Sequence, residues 1–270
     1  MKLIADSNME DIQRKEDIQR KEDVLRELNI YPLWQLRDPC SRIPSDEMVV
    51  TPLNFFSPTE IKMQQSVISE VKTVPIEDLT WAELKKRVRT CAACKLRAGS
   101  PGTIFGTGDE KAHWLFVGSW PTEDDEASGE PFAGQVGELL DNMLASIQLK
   151  RNTNVYLTNI VKCSGTIQRG PQPDEIAQCS PFLRRQIQLL QPRLIVALGH
   201  AAATALLAED KEWSSLLGQI HGYRGLAKDG SHHVIPLIIT HHPAALLLNA
   251  LNKEQTWRDL CLARDTMNEM

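Results

Sequence analysis

From Thr80 onward, four short apolar runs alternate with stretches whose apolar residues recur at helical spacing. The runs are Trp114-Leu115-Phe116-Val117, Val155-Tyr156-Leu157-Thr158, Leu194-Ile195-Val196-Ala197-Leu198 and Val234-Ile235-Pro236-Leu237-Ile238-Ile239. Runs this short, rich in β-branched and aromatic residues, read as strands buried on both faces. Helical patterns fall near residues 80–90, 134–148, 174–191, 200–208 and 253–268, the first behind Thr80 as a suitable N-cap. The alternation predicts a three-layer α/β/α domain around a central four-stranded parallel sheet. Ligands of such sheets bind beyond the carboxyl ends of the strands. The notable polar residues sit there: Gly118-Ser119-Trp120-Pro121 after the first strand, Asn159 after the second, Gly199-His200 after the third and His241-His242-Pro243 after the fourth. Their placement predicts one cleft.

The chain before Thr80 has a different texture. Residues 10–27 hold a tandem hexad, EDIQRK, EDIQRK, then EDVLRE. The composition is helical. Ile12, Ile18 and Val24 step round a helix instead of forming a seam, because a coiled coil needs a period near 3.5. An apolar cluster, Leu28 to Leu36, follows, and then a proline-rich stretch without periodicity. The expected organisation is a helical and extended appendage over 1–37, a partly disordered linker over 38–79 and the α/β domain over 80–270.

Composition narrows the functional classes. Of 270 residues, 42% are apolar and 24% charged, as in ordinary globular proteins. The net charge of −5 gives no whole-molecule attraction to nucleic acid, so any such contact must be local. No apolar run is long enough to cross a membrane. The first residues turn polar too soon for a signal peptide, so a cytoplasmic protein is expected. Thiols there stay reduced, which points the six cysteines towards metal or burial before disulfides.

Four of the cysteines stand out. Cys91-x-x-Cys94 opens the domain, Cys163 follows the second strand, and Cys179 lies near the start of the next helix. The spacing is too split for a zinc ribbon, and by itself it leaves a cubane cluster, zinc and unliganded thiols all open. Cys40 and Cys261 are read as ordinary buried cysteines.

Residues 91–263 resemble the iron–sulfur (type 4) uracil-DNA glycosylases. The matching pieces are Cys91-x-x-Cys94-Lys-Leu-Arg97, Phe105-Gly-Thr-Gly108, Gly129-Glu-Pro-Phe132-Ala-Gly134, Gly137-x-Leu-Leu-Asp141, Asn154-Val-Tyr-Leu-Thr-Asn159-Ile-Val-Lys-Cys163, Gln191-Pro-x-Leu-Ile-Val-Ala-Leu-Gly199 and Thr240-His-His-Pro-Ala244. The resemblance implies a 4Fe-4S cluster on Cys91, Cys94, Cys163 and Cys179. It also implies a monomeric DNA-repair enzyme that flips uracil out of DNA and hydrolyses its N-glycosidic bond. Phe132 would stack on the base, Asn159 would read its edge with an amide that both donates and accepts, and His242 would donate to uracil O2. Ser119, in the first motif, would be catalytic together with His242 and Asn159, and its neighbours Gly118 and Trp120 would line the substrate.

That first motif departs from the family, which usually reads Gly-Glu-Ala-Pro-Gly. Here Ser119 replaces the carboxylate associated with positioning water, Trp120 a small residue and Thr122 a glycine. A buried indole would exclude water or base; an outward one would stack on DNA. Residues 164–169 keep only Arg169 of the family's loop, and Leu248 stands where an arginine is usual. Two readings follow: an active glycosylase, or a degenerate fold kept for DNA binding or interaction. The pattern Leu28-x-Ile30-x-x-x-Trp34-x-Leu36-Arg37 resembles the amino-terminal region of the clamp-loader psi subunit, which implies a clamp-loader or sliding-clamp contact.

Overall fold

A computed structural model of the chain describes residues 74–164, 170–226 and 231–270. The hexad, the Leu28–Arg37 pattern and Cys40 lie outside the described residues. The elements are α1 (Trp81–Arg89), α2 (Lys95–Ala98), β1 (Thr107–Gly108), β2 (Trp114–Gly118), α3 (Glu123–Ser128), α4 (Gly134–Ser146), β3 (Val155–Asn159), α5 (Pro173–Leu190), β4 (Leu194–Leu198), α6 (His200–Leu207), β5 (Ile220–Leu226), β6 (His232–Thr240), α7 (Pro243–Leu248) and α8 (Lys253–Asn268).

The four apolar runs form the parallel centre of the sheet, in the order β3-β2-β4-β6. Among the described residues the sheet nevertheless has six strands. β1 pairs antiparallel with β3, and β5 pairs antiparallel with β6, so each edge carries a strand beyond the four expected. The edge strands escape a search for apolar runs for a physical reason. β1 has two residues, and β5, Ile-His-Gly-Tyr-Arg-Gly-Leu, buries only Tyr223.

Side chains of the central strands alternate between two cores. Leu115, Val117, Ile195, Ala197, Leu237 and Ile239 pack with Leu183 and Ile187 of α5 and Ala202, Ala203 and Leu206 of α6. Phe116, Leu157, Val196 and Ile238 face the other way, onto Leu140 and Leu144 of α4 and Leu260 and Ala263 of α8. This is the expected three-layer arrangement. A third small core joins Leu84 and Val88 of α1 to Phe182 of α5, and Leu79 is buried in it, just before the Thr80–Glu83 capping box that starts α1.

The strand order places the functional ends. From β2 the chain moves outward to β3, then returns past β2 to β4. Reversals of this kind open a crevice at the carboxyl ends. No helix among the described residues is long and apolar enough to cross a membrane.

Candidate active site and cysteine cavity

β2 and β3 run in register to their last residues, which sets Gly118 beside Asn159. Gly118 is required by closeness: a Cβ there would overlap Asn159 Oδ1 and Phe132 Cζ. The phenyl ring and the amide thus approach each other across a residue with no side chain. On the other side, the Phe132 ring lies 5.7 Å from the His242 ring between centroids, tilted by 34°. Gly199, with φ +91°, lets the β4 end pass next to His242. The structure therefore brings together Gly118, Phe132, Asn159 and His242.

The Asn159 side chain is buried, and among the described residues neither its Nδ2 nor its Oδ1 has a hydrogen-bond partner. Leaving a buried polar group unpaired costs about 1–3 kcal/mol, so an amide orphaned at both ends is an unusual feature. It offers one donor and one acceptor to whatever enters beside Phe132.

His242 caps α7. Its Nδ1 accepts from the backbone N–H of Ala244 at 3.2 Å, which puts the proton of the neutral ring on Nε2. Burial pushes its pKa down to about 4. At neutral pH the residue is an uncharged N–H donor. The neighbouring His241 is turned away: its Nδ1 lies 3.3 Å from Thr256 Oγ1 and its ring packs edge-on against Trp213.

Phe132 has an uncommon backbone, φ +57°, for a bulky residue. Two devices hold it. Arg151 donates to the carbonyls of Pro131 at 3.1 Å and Phe132 at 2.9 Å, and its Nε pairs with Asp141 at 2.7 Å. From the other side, Asp125 Oδ1 accepts from the Ala133 N–H at 2.7 Å. Burial raises the Asp125 pKa, opposed by the N–H groups of Ala133 and Thr122.

Thr122, which replaces the family's glycine, has a structural role. Its backbone is extended, and it caps α3 reciprocally with Asp125, the threonine N–H donating to Asp125 Oδ2 at 3.0 Å. The sequence carried the signal, since Thr122-x-x-Asp125 has capping-box spacing. Trp120 is 37% exposed, and the outer edge of its indole lies beside Gly170. Ser119 is buried, and its carbonyl accepts from the Val161 N–H at 3.3 Å.

The four cysteines line one small cavity. Cys91 and Cys94 flank the turn between α1 and α2, Cys163 follows β3, and Cys179 comes from α5; Val88, Arg97, Lys162 and Phe182 complete the walls. Burial pushes the Cys163 thiol up to about 12, helped by Cys179, Cys94 and Cys91. Burial also raises Cys179, opposed by the Lys162 charge and backbone N–H. Among the described residues, no group of three or more His, Cys, Asp or Glu side chains is placed to hold a single metal ion. The four cysteines share the lining of that cavity. A polynuclear cluster fits that donor set, because each iron takes one cysteine; a mononuclear zinc site needs all four sulfurs at about 2.3 Å from one centre. Cys261, on α8, is partly buried and remote from the cavity in sequence and lining.

Lys162, Arg151 and Asp125 were not among the expected site residues. Their roles depend on which backbone atoms they reach, and nothing in their sequence spacing shows that.

Comparison with known proteins finds related sequences over this domain. The family model described as "Uracil DNA glycosylase superfamily" matches residues 105–263. A type-4 uracil-DNA glycosylase of Archaeoglobus fulgidus is 34% identical over 177 residues, covering 64% of this chain and 86% of the relative. That of Thermotoga maritima is 37% identical over 172 residues, covering 63% and 84%. That of Sulfurisphaera tokodaii is 35% identical over 167 residues, covering 62% and 76%. With its matched segment spanning the strands and the loops that carry the site, the chain belongs to the uracil DNA glycosylase superfamily.

Proposed function

We propose that this chain is a DNA-repair glycosylase that hydrolyses the N-glycosidic bond of uracil in DNA and leaves an abasic site. The orphaned Asn159 amide carries the reading. Uracil presents an acceptor at O4 and a donor at N3–H, which complement an amide's N–H and carbonyl. The flipped base stacks on Phe132, with Gly118 leaving room for ring and amide to meet.

In the reaction the C1′–N1 bond breaks and its electron pair passes to the uracil ring, with charge building at O2. The neutral Nε2–H of His242 stabilises that charge as a donor fixed in advance. Water bonds to C1′ and gives up a proton to solvent. We assign the water to the Gly118–Ser119 turn; Ser119 offers it a hydroxyl where relatives of the usual pattern offer a carboxylate.

We further propose that Cys91, Cys94, Cys163 and Cys179 hold a 4Fe-4S cluster. Bound there, it cross-links α1, the exit of β3 and α5. Leu248 and Leu251, 91% and 87% exposed just after the His242 cap, suit apolar contact with unstacked DNA. The clamp-loader or sliding-clamp contact of residues 28–37 remains a proposal, tested by pull-down of clamp-loader subunits with the full chain.

The activity test is incubation of the folded, brown holo-protein with single-stranded uracil-DNA, followed by alkali. Strand cleavage at the uracil is expected. Absence of cleavage at high enzyme would overturn the enzymatic reading and favour a degenerate DNA-binding fold, which the loss of the carboxylate at Ser119 motivates. Restored turnover in Ser119→Glu would then support that second reading.

A further inference from the structure

Lys162 lies between the base pocket and the cysteine cavity. Its side chain is almost fully buried. The ammonium donates to Thr158 Oγ1 at 2.6 Å and to the Asn159 carbonyl at 2.7 Å, both uncharged acceptors. Among the described residues, no carboxylate pairs with it. Lys162 lines the same small cavity as Cys91, Cys94, Cys163 and Cys179. Its backbone is tied to the same region: the Lys162 N–H points to Cys179, and its carbonyl accepts from the Ile104 N–H at 2.8 Å. Thr158, in turn, donates to the Phe105 carbonyl at 2.9 Å, which also accepts from Gln186 Nε2 at 2.9 Å.

A lone ammonium in a protein interior is costly unless an anion compensates it. Two neutral acceptors do not supply that anion. Four cysteine thiolates around an iron–sulfur cluster do, since the assembly carries net negative charge. The same side chain then holds the end of β3 from inside, where Asn159 turns its amide into the pocket. We propose that Lys162 is a positioning residue that answers the charge of the cysteine cluster with its ammonium while anchoring Asn159 through the backbone carbonyl. Occupancy of the cysteine site thereby keeps the base-reading amide in place. This rests on the cluster and uracil readings above.

The test uses wild-type and Lys162→Met holo-proteins with three readouts: iron content, midpoint potential of the cluster, and KM and kcat on single-stranded uracil-DNA. A nearby cation favours the reduced, more negative cluster, so its removal should move the midpoint to more negative potential. Loosening of Asn159 should raise KM on the order of tenfold with a smaller change in kcat, the pattern of a lost ground-state contact. An unchanged midpoint, or an unchanged KM, overturns the coupling. If Lys162→Met yields no folded holo-protein, Lys162→Gln carries the test. Its amide retains donors but not charge, so the midpoint should still shift negative; an unchanged midpoint overturns the proposal. A colourless, iron-free wild type would refute the cluster reading itself, whereas a brown, active wild type matched by Lys162→Met would refute this inference alone.

Discussion

The backbone N–H of Ala244 donates to His242 Nδ1 at 3.2 Å, and this single bond decides which ring nitrogen faces the pocket with a proton. A helix cap thereby sets the tautomer of the residue we assign to the leaving group. Two expectations about pH follow from the burial that pushes this imidazole's pKa down to about 4.

The first is kinetic. An ordinary histidine titrates near 6.5; His242 should stay neutral well below that. The kcat/KM profile on uracil-DNA should show no inflection near pH 6.5 belonging to His242, and an imidazole NMR titration should find the same ring unprotonated at pH 5.5.

The second concerns stability. The folded pKa lies below the unfolded one, so between about pH 6.5 and 4 the unfolded chain binds a proton that the folded chain does not. The stabilisation from keeping this ring neutral is present above about 6.5 and is lost as the pH falls towards 4. The urea midpoint should drop between pH 7 and pH 5, and His242→Asn should drop less over the same interval.

Arg151→Ala removes two charge-assisted hydrogen bonds to the carbonyls flanking the Phe132 turn. Such bonds contribute about 1.5–3 kcal/mol each. We expect chemical denaturation to show a loss on the order of 2 kcal/mol, with a raised KM because Phe132 is no longer held at φ +57°.

Thr122 separates a structural reading of the altered motif from a functional one. Thr122→Ala removes the α3 cap and should cost about 1 kcal/mol, whereas Thr122→Gly should cost only a few tenths. Urea titration of both variants checks the ordering. Similar losses in the two would remove the capping role.

Trp120→Ala should leave kcat on uracil-DNA near the wild-type value, because the indole is partly exposed and its outer edge lies beside Gly170. Binding of single-stranded DNA should weaken, by roughly 1–3 kcal/mol if the ring stacks on a base. Fluorescence anisotropy with labelled oligonucleotides measures the second effect separately from the first.

What the sequence made legible follows the strength of local patterns. The central strands and the five main helices are readable because apolar runs and helical periodicity coincide with burial. β5 is not, since it exposes Ile220 and Leu226, buries Tyr223 and contains two glycines, so it has neither a run nor a clean alternation. α3 was legible in principle through Thr122 and Asp125, but six residues with four acids resemble a solvated loop. Asn159, Phe132 and His242 could be named from motif order. The spacing of the cysteines left their ligand open; the fold brings all four to the lining of one cavity, from a helix–helix turn, a strand exit and a second helix. The orientation of Trp120 and the bonds of Lys162 and Arg151 depend on tertiary contacts with backbone atoms, which no local pattern encodes.

The measurement that bears most directly on the Asn159 amide is a paired assay of Asn159→Leu, reading thermal stability and uracil excision together. If the amide waits unpaired for a base, the apolar replacement relieves a buried, unsatisfied group. The melting temperature should then hold or rise while excision falls on the order of 10²-fold or more. A lowered melting temperature with excision retained would contradict a base-reading role.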